Sequence, residues 1–159
     1  MFRSLILSAA LISSCVFAGS PSAMDIARKN LARSVTALAE KESECTESAT
    51  ILPAEAIRKI ELDEEQLKTA LSYFYLKSSL DCSYPEAANV IVSLRVLHEL
   101  QPDMPEEDGG SLITSNMTSL LKEQAKYEQL PEGVRQQLEG IKALHAPFKM
   151  IESAQALGL

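Results

Sequence analysis

The sequence has no tryptophan, two histidines, six glycines and seven prolines in 159 residues, and only 5% of its residues are aromatic. Glycine and proline form the tight turns that separate strands, and no segment alternates Val, Ile or Thr with polar residues between such turns. The plentiful residues, Ala, Leu, Glu, Lys and Gln, favour helices. The scarcity of turn residues and of strand patterns therefore predicts an all-α fold.

Recognisable catalytic and metal-binding patterns are also missing. His98 and Glu99 begin like a zinc-binding helix motif, but the residue four positions after His98 is Pro102, so the second histidine is absent. No nucleophile elbow and no glycine-rich phosphate loop occurs. We therefore predict no catalytic residue, no metal ligand and no cofactor, and we expect that the protein is not an enzyme.

The chain lacks an excess of basic residues. It has 15 Lys and Arg against 22 Asp and Glu, which gives a formal net charge of −7. A negative field repels nucleic acid and anionic lipid headgroups, and nucleic-acid-binding domains usually carry a basic patch. We predict no nucleic-acid partner. The charge is compatible with a protein partner that is basic.

The first 18 residues have the pattern of an export signal. Arg3 precedes an apolar run from Leu5 to Phe17, and Ala18 provides the small residue that a signal peptidase requires. The run has about 13 residues, whereas a transmembrane helix needs roughly 20. We therefore predict that residues 1–18 are removed and that residues 19–159 form a single domain in the periplasm or outside the cell.

Cys15 leaves a second interpretation of the leader open. The segment from Ile12 to Cys15 resembles a bacterial lipobox, in which a small residue precedes a cysteine that is lipidated. Lipidation of Cys15 would anchor the protein in the envelope. The sequence favours removal of Cys15 with the leader, because Val16 and Phe17 are unusually apolar for the start of a lipoprotein tether. A membrane partner is expected only if Cys15 is lipidated.

Two cysteines remain under either interpretation, Cys45 and Cys82. An even number of cysteines in an oxidising compartment is typical of disulfide pairing. The two are too far apart in the sequence for a CxxC redox pair. We therefore predict a structural disulfide between Cys45 and Cys82.

Apolar residues at helical spacing predict five to seven helices in an orthogonal or bundle-like arrangement. The helices are expected to begin near Ser22, Pro53, Asp63, Pro85, residue 112, Pro131 and Pro147. Ser22 with Asp25 has the pattern of an N-terminal cap. The third helix should end just before Cys82, so that both cysteines lie at helix C-termini and the bond joins the end of the first helix to the end of the third. Residues 86–100, apolar on nearly every side, are predicted to form a buried central helix.

Two groups of residues are candidates for an interaction surface. Tyr73, Phe74 and Tyr75 are consecutive on a helix and cannot all face the core, so at least one tyrosine should lie at its rim. The loop after residue 100 contains four acids, namely Asp103, Glu106, Glu107 and Asp108. The first group fits a groove for a partner or an apolar ligand, and the second fits a contact with a basic partner.

These features lead to two functional hypotheses. The first is an exported, non-catalytic cell-envelope protein that binds another protein as an adaptor, assembly factor, chaperone or inhibitor. In architecture alone it is similar to the pilotin lipoproteins of bacterial secretion systems, and no motif of that family is matched. The alternative is a small-ligand carrier or an unfamiliar enzyme with a pocket between helices near Tyr73, Phe74 and His98.

Overall fold

Six α-helices and one short 3-10 helix make up most of the structure, a computed structural model that describes residues 21–103 and 109–159. The helices are α1 (Ala23–Glu47), α2 (Ala54–Arg58), α3 (Glu64–Leu100), α4 (Gly109–Tyr127), α5 (Glu132–Glu139) and α6 (Met150–Leu157), with the 3-10 helix at Lys142–His145. These ranges contain no β-strand, only an isolated bridge between Thr50 and Phe148. The predicted all-α fold and the number of helices are confirmed.

The predicted cap of α1 is present. The backbone N–H of Asp25 donates to the Ser22 hydroxyl oxygen at 3.1 Å, and the Ser22 hydroxyl donates to the Asp25 carboxylate at 2.7 Å. The Ser22 backbone N–H also donates to that carboxylate. These bonds satisfy backbone donors that the first turn of a helix leaves without partners. They also hold the pKa of Asp25 below its ordinary value of 3.8.

Removing the cap hydroxyl should raise the pKa of Asp25. Because the folded pKa lies below the unfolded one, the ionised cap stabilises the fold above the ordinary pKa. That contribution is lost as the pH falls through the lowered folded value. In Ser22→Ala we expect an NMR titration of the Asp25 carboxyl carbon to shift towards 3.8. Ser43→Ala, near the other end of α1, should leave the Asp25 titration unchanged, and an equal shift in both variants would contradict this account.

The long helix α3 runs without interruption through Pro85, although the sequence predicted that a new helix starts there. Proline removes one backbone hydrogen bond, here the bond to the Asp81 carbonyl, and usually breaks or kinks a helix. Asp81 and Pro85 are both exposed, so the unpaired carbonyl lies on the solvent side of α3. Buried Ser83 and Ala87 hold the helix on either side of the proline. Packing therefore outweighs the local signal.

The disulfide between Cys45 and Cys82 is present, as predicted, with a Cα–Cα distance of 6.2 Å. Its placement differs from the prediction. Cys45 lies in the last turn of α1, but Cys82 lies in the middle of α3 rather than after a helix end, because α3 continues through Pro85. The bond therefore fixes the end of α1 to the centre of the longest helix.

Two apolar clusters form the core. The larger surrounds the N-terminal half of α3 and includes the fully buried side chains of Phe74, Leu71, Leu138 and Leu144. The smaller lies against the C-terminal half, where Ala87 and Val90 of α3 meet Ile113 of α4, with Leu31 and Leu38 of α1 packed alongside. Between the two clusters, fewer apolar side chains pack against the middle of α3.

Residues 86–100 do not form the buried central helix that the sequence predicted. Ala87, Val90 and Leu97 are buried, but Val92 and Val96 are exposed. The reason is that α1 and α4 both pack against the same side of α3, and no other described helix covers the opposite side. Within the described residues, no helix has the length and hydropathy needed to cross a bilayer.

The segment before α6 pairs with the segment after α1. The Thr50 N–H donates to the Pro147 carbonyl at 3.3 Å, and the Lys149 N–H donates to the Thr50 carbonyl at 2.9 Å. The Leu52 N–H donates to the fully buried Ser153 hydroxyl oxygen at 3.1 Å. These bonds place the start of α6 beside the segment that follows α1, and the contact of the Phe148 ring with Tyr75 places it beside the middle of α3.

Candidate functional site

A groove of about 660 Å³ lies along the middle of α3. We call it the α3 groove. Four segments line it: the end of α1, the middle of α3, one residue of α4 and the start of α6. The lining residues are Glu42, Cys45, Thr46, Ala49, Tyr75, Leu76, Ser79, Leu80, Ser83, Asn116 and Pro147–Glu152.

The groove begins where the shared packing of α1 and α4 against the C-terminal half of α3 ends. Leu38 of α1 and Ile113 of α4 belong to the same cluster at Ala87 and Val90. One helical turn nearer the N-terminus of α3, at Ser83, the cluster ends and the groove begins. The start of α6 closes the far end. The groove is thus bounded by the end of α1, Asn116 of α4 and the start of α6, and it is open to solvent.

The floor of the groove alternates apolar and hydroxyl side chains. Leu76 and Leu80 alternate with Ser79 and Ser83 along one side of α3. The Ser83 hydroxyl donates to the Ser79 carbonyl at 3.4 Å, a bond within the helix. The Ser83 hydroxyl is thus bonded within α3, and Leu76 and Leu80 give the floor an apolar part that the apolar face of a helix could contact.

Charged residues stand at the edges of the groove. Glu42 lies on the α1 side and Glu152 on the α6 side, and both are exposed. Lys149 is the basic residue among those that line it. The rim therefore carries one more negative charge than positive, in agreement with the acidic net charge of the chain.

The three consecutive aromatic residues separate as the helical geometry requires. Phe74 is fully buried and Tyr73 is buried, whereas Tyr75 is 38% exposed and lines the groove. The Tyr75 ring meets the Phe148 ring edge to face, with the centroids 5.8 Å apart. Of the predicted interaction residues, Tyr75 is the one that the structure places in the groove.

A smaller hollow of about 390 Å³ lies on another side, near Tyr127 and Glu139. The Tyr127 ring stacks on Tyr73 at 4.3 Å, and its hydroxyl lies 3.3 Å from both the Glu139 carboxylate and the Arg135 carbonyl. Burial, followed by the charge of Glu139, raises the pKa of Tyr127. The phenol therefore stays protonated and acts as a donor that joins α4 to α5, which is a structural role.

The pocket predicted near Tyr73, Phe74 and His98 is not formed. His98 lies 24 residues beyond Phe74 on the same straight element, a separation of about 36 Å at 1.5 Å per residue. The other histidine, His145, contacts the Phe74 ring, with the centroids 5.4 Å apart. The prediction was wrong because it placed these residues on separate helices that could fold against each other.

Of the four acids in the loop after α3, the structure describes Asp103, which does not line the groove. Asp103 is exposed just beyond the end of α3, and Ser83 and Leu100 are about 25 Å apart along that helix. Glu106, Glu107 and Asp108 lie outside the described residues, as do Cys15 and the predicted leader, residues 1–18. Their predicted roles in binding, lipidation and export remain predictions.

The disulfide is part of the groove wall. Cys45 lines the groove, and its bond to Cys82 fixes the wall that α1 forms against the floor that α3 forms.

In the part of the chain that the structure describes, no group of three or more His, Cys, Asp or Glu side chains is arranged to hold a metal ion. Comparison of the chain with protein-family models, with curated proteins and with solved structures found no match.

Most of the groove could not be predicted from the sequence. The pair of serines four residues apart, Ser79 and Ser83, was a usable signal, because two small polar residues interrupt one side of an otherwise apolar helix. Asn116 and Glu152 gave no such signal. They join the groove only through the packing of α4 and α6 against α3.

Proposed function

We propose that this protein is an exported, non-catalytic binding protein of the cell envelope, and that the α3 groove holds an amphipathic, basic helical segment of a partner protein. The observation that carries the proposal is the open groove itself, with Leu76 and Leu80 on its floor and Glu42 and Glu152 at its rim. Recognition of amphipathic helices by apolar grooves is a recurring mode of peptide binding. The disulfide is compatible with an extracytoplasmic compartment.

The shape of the groove supports a helical occupant. The end of α1 bounds one side and the start of α6 another, so a helix can lie between them and contact Leu76 and Leu80 on the floor. Exposed apolar side chains at the rim, Tyr75 and Ile151, would become buried on binding. Aromatic side chains that become fully buried in an interface commonly contribute much of the binding energy.

The charges support a basic segment. Glu42 and Glu152 stand on different sides of the groove, so a helix between them can place Lys or Arg side chains towards both. Each such pair would be exposed and would contribute modestly, about 0.2–1 kcal/mol. The acidic net charge would also accelerate the approach of a basic partner, and salt would weaken that effect.

Reversing the rim charges should weaken binding of a basic helix. The probe is an amphipathic helical peptide with a leucine face and a lysine face, labelled for fluorescence anisotropy. In Glu42→Lys/Glu152→Lys we expect about a tenfold loss of affinity, since two weak attractions become repulsions. The same peptide with glutamate in place of lysine should bind the unchanged protein more weakly.

A control with the same change of net charge separates the groove from the overall field. Glu40 lies two residues before Glu42 and therefore on another side of α1, and Glu61 lies between α2 and α3. Glu40→Lys/Glu61→Lys should retain nearly the original affinity. Equal losses in both double variants would show that the peptide responds only to net charge, and would contradict the proposal.

A small-ligand carrier is the second candidate, and the volume of the groove favours it. Ligand sites usually have about 300–1,000 Å³, and the groove falls in that range at about 660 Å³. The candidate predicts that a compact apolar molecule copurifies with the protein and competes with the peptide. Native mass spectra of the exported protein that show no bound molecule would rule out the small-ligand carrier.

A further inference from the structure

The end of α1 and the two residues after it, residues 39–49, belong to neither apolar cluster. The last α1 side chain packed in a cluster is Leu38, and beyond it the buried residue of α1 is Cys45. The larger cluster, as far as the structure describes it, contains no residue of α1. We call residues 39–49 the α1 strap. It forms one wall of the α3 groove through Glu42, Cys45, Thr46 and Ala49.

Both ends of the strap are anchored independently of the disulfide. At one end, Leu38 packs against the C-terminal half of α3. At the other end, the Thr50 N–H donates to the Pro147 carbonyl at 3.3 Å. Between these ends, the bond of Cys45 to Cys82 fastens the strap to α3. Opening of this bond can therefore free the strap without freeing the segments on either side of it.

The charges at the end of α1 oppose a helix there. A helix C-terminus carries a partial negative charge, which disfavours acidic residues in the last turn. The last turn of α1 contains Glu44 and Glu47 and no basic residue. Glu40 and Glu42 precede them, and Lys41 pairs with Glu44 in an exposed contact that contributes little. The disulfide thus holds a helix end that its own charges do not favour.

A buried carboxylate oxygen lies beside the strap without a donor. Because α1 and α3 are antiparallel, Lys41, one turn before Cys45, lies opposite Glu86, one turn after Cys82. The hydrogen bond to Glu44, the charge of Glu44 and, more weakly, the charge of Glu86 raise the pKa of Lys41. Among the described residues, Glu86 Oε2 is buried and has no hydrogen-bond partner. A buried acceptor without a donor costs free energy, and water can supply the donor once the strap opens.

We propose that the bond between Cys45 and Cys82 is a redox switch for the α3 groove, in which the oxidised protein holds the α1 strap as a wall and reduction releases it. The inference rests on the proposed function, because release removes Glu42 and Thr46 from the site that binds the partner. The larger cluster keeps the remaining fold, since it does not depend on α1. The anchored ends keep the two thiols close together, so oxidation restores the wall.

Reduction of the bond needs a dithiol, such as the CxxC pair of a thiol–disulfide exchange protein. Its thiolate attacks the sulfur of Cys82, which is half-buried, whereas Cys45 is buried. The bond between the two protein sulfurs breaks, a mixed disulfide forms at Cys82, and the Cys45 thiolate leaves and takes a proton from water. The second thiolate of the reductant then attacks the reductant sulfur of the mixed disulfide and releases the Cys82 thiolate, which is also protonated. The protein gains two thiols, and the dithiol becomes a disulfide.

Hydrogen exchange measured by mass spectrometry, on the exported form of the full chain, tests the release without a partner. In dithiothreitol the amides of residues 39–49 should exchange at least about tenfold faster than in the oxidised protein, whereas residues 70–78 of α3 should change little. Cys45→Ala/Cys82→Ala should show the faster exchange with and without the reductant. Equal acceleration in the two regions, or no acceleration in the strap, would overturn the proposal.

Binding of the peptide with a leucine face and a lysine face separates the switch from the proposed function. Reduction should weaken binding by about tenfold, as when the complete groove is present in about one molecule in ten, and reoxidation should restore it. Cys45→Ala/Cys82→Ala should bind equally weakly with and without the reductant. Equal affinity in both redox states would overturn the switch and leave the proposed function standing. No binding in either state would contradict the proposed function, whereas faster exchange in the strap would still support its release.

Discussion

Removal of the disulfide should lower the free energy of unfolding by about 4 kcal/mol. The bond between Cys45 and Cys82 closes a long loop, with 37 residues of sequence separation. Loop-closure entropy predicts a loss of this size when such a loop is opened. The variant is Cys45→Ala/Cys82→Ala, because both residues lie inside helices and alanine has the highest helix propensity. Urea unfolding followed by circular dichroism gives the measurement.

The packing of α1 explains why this loss should also be visible locally. Of the 25 residues of α1, the buried ones are Ala27 and Cys45. Leu31 and Leu38 are only partly buried against α3. Because α1 buries little apolar area against α3, the disulfide contributes much of what holds it in place. Opening the disulfide should therefore increase amide hydrogen exchange along α1 more than in the N-terminal half of α3.

Reduction provides the matched control for the disulfide. Dithiothreitol should bring the stability of the unchanged protein down to that of the double alanine variant, and should have no effect on the variant. A variant with unchanged urea stability would contradict the structural role of the bond. A loss with equal hydrogen exchange in α1 and α3 would show that α1 does not depend on the bond in particular.

Phe74→Ala should cost about 3–5 kcal/mol, the range for truncation of a large buried aromatic side chain. Phe74 is fully buried, and its ring lies 5.1–5.4 Å from the ring centroids of Tyr73, Tyr127 and His145, all in edge-to-face geometry. These rings belong to α3, α4 and the 3-10 helix. Phe74 therefore joins three elements, and its loss leaves a cavity where they meet.

Urea unfolding again gives the value, and Ile26→Ala is the control. Ile26 is an exposed apolar residue in the first turns of α1, and its truncation should change the stability by about 0.5 kcal/mol or less. A similar small change in Phe74→Ala would mean that the larger core cluster can close around the missing ring. It would contradict the position of Phe74 at the centre of the core.

The sequence predicted those features that depend on neighbours within one or two turns. Ser22 with Asp25 forms the predicted cap, and Tyr75 lies at the rim because consecutive residues on a helix cannot share a side. The disulfide followed from the number of cysteines. Each of these predictions needs no knowledge of how the helices pack.

The features that depend on how the helices pack could not be predicted from the sequence in the same way. The sequence predicts a helix start at Pro85, but the structure shows that a proline on the solvent side of a well-packed helix can be accommodated. The exposure of Val92 and Val96 follows from α1 and α4 occupying the same side of α3. The groove needs Glu42, Asn116 and Glu152 together, and only the angles between helices bring these residues to one place.

The central claim is that a partner occupies the α3 groove, and site-specific photo-cross-linking in cells that make the protein tests it most directly. Thr46 is exposed on the groove wall, whereas Glu40 is exposed on another side of α1. A photoreactive residue at Thr46 should give one discrete adduct with another protein, and Glu42→Lys/Glu152→Lys should abolish it. The same probe at Glu40 should give none. No adduct from Thr46, or the same adduct from both positions, would contradict the account.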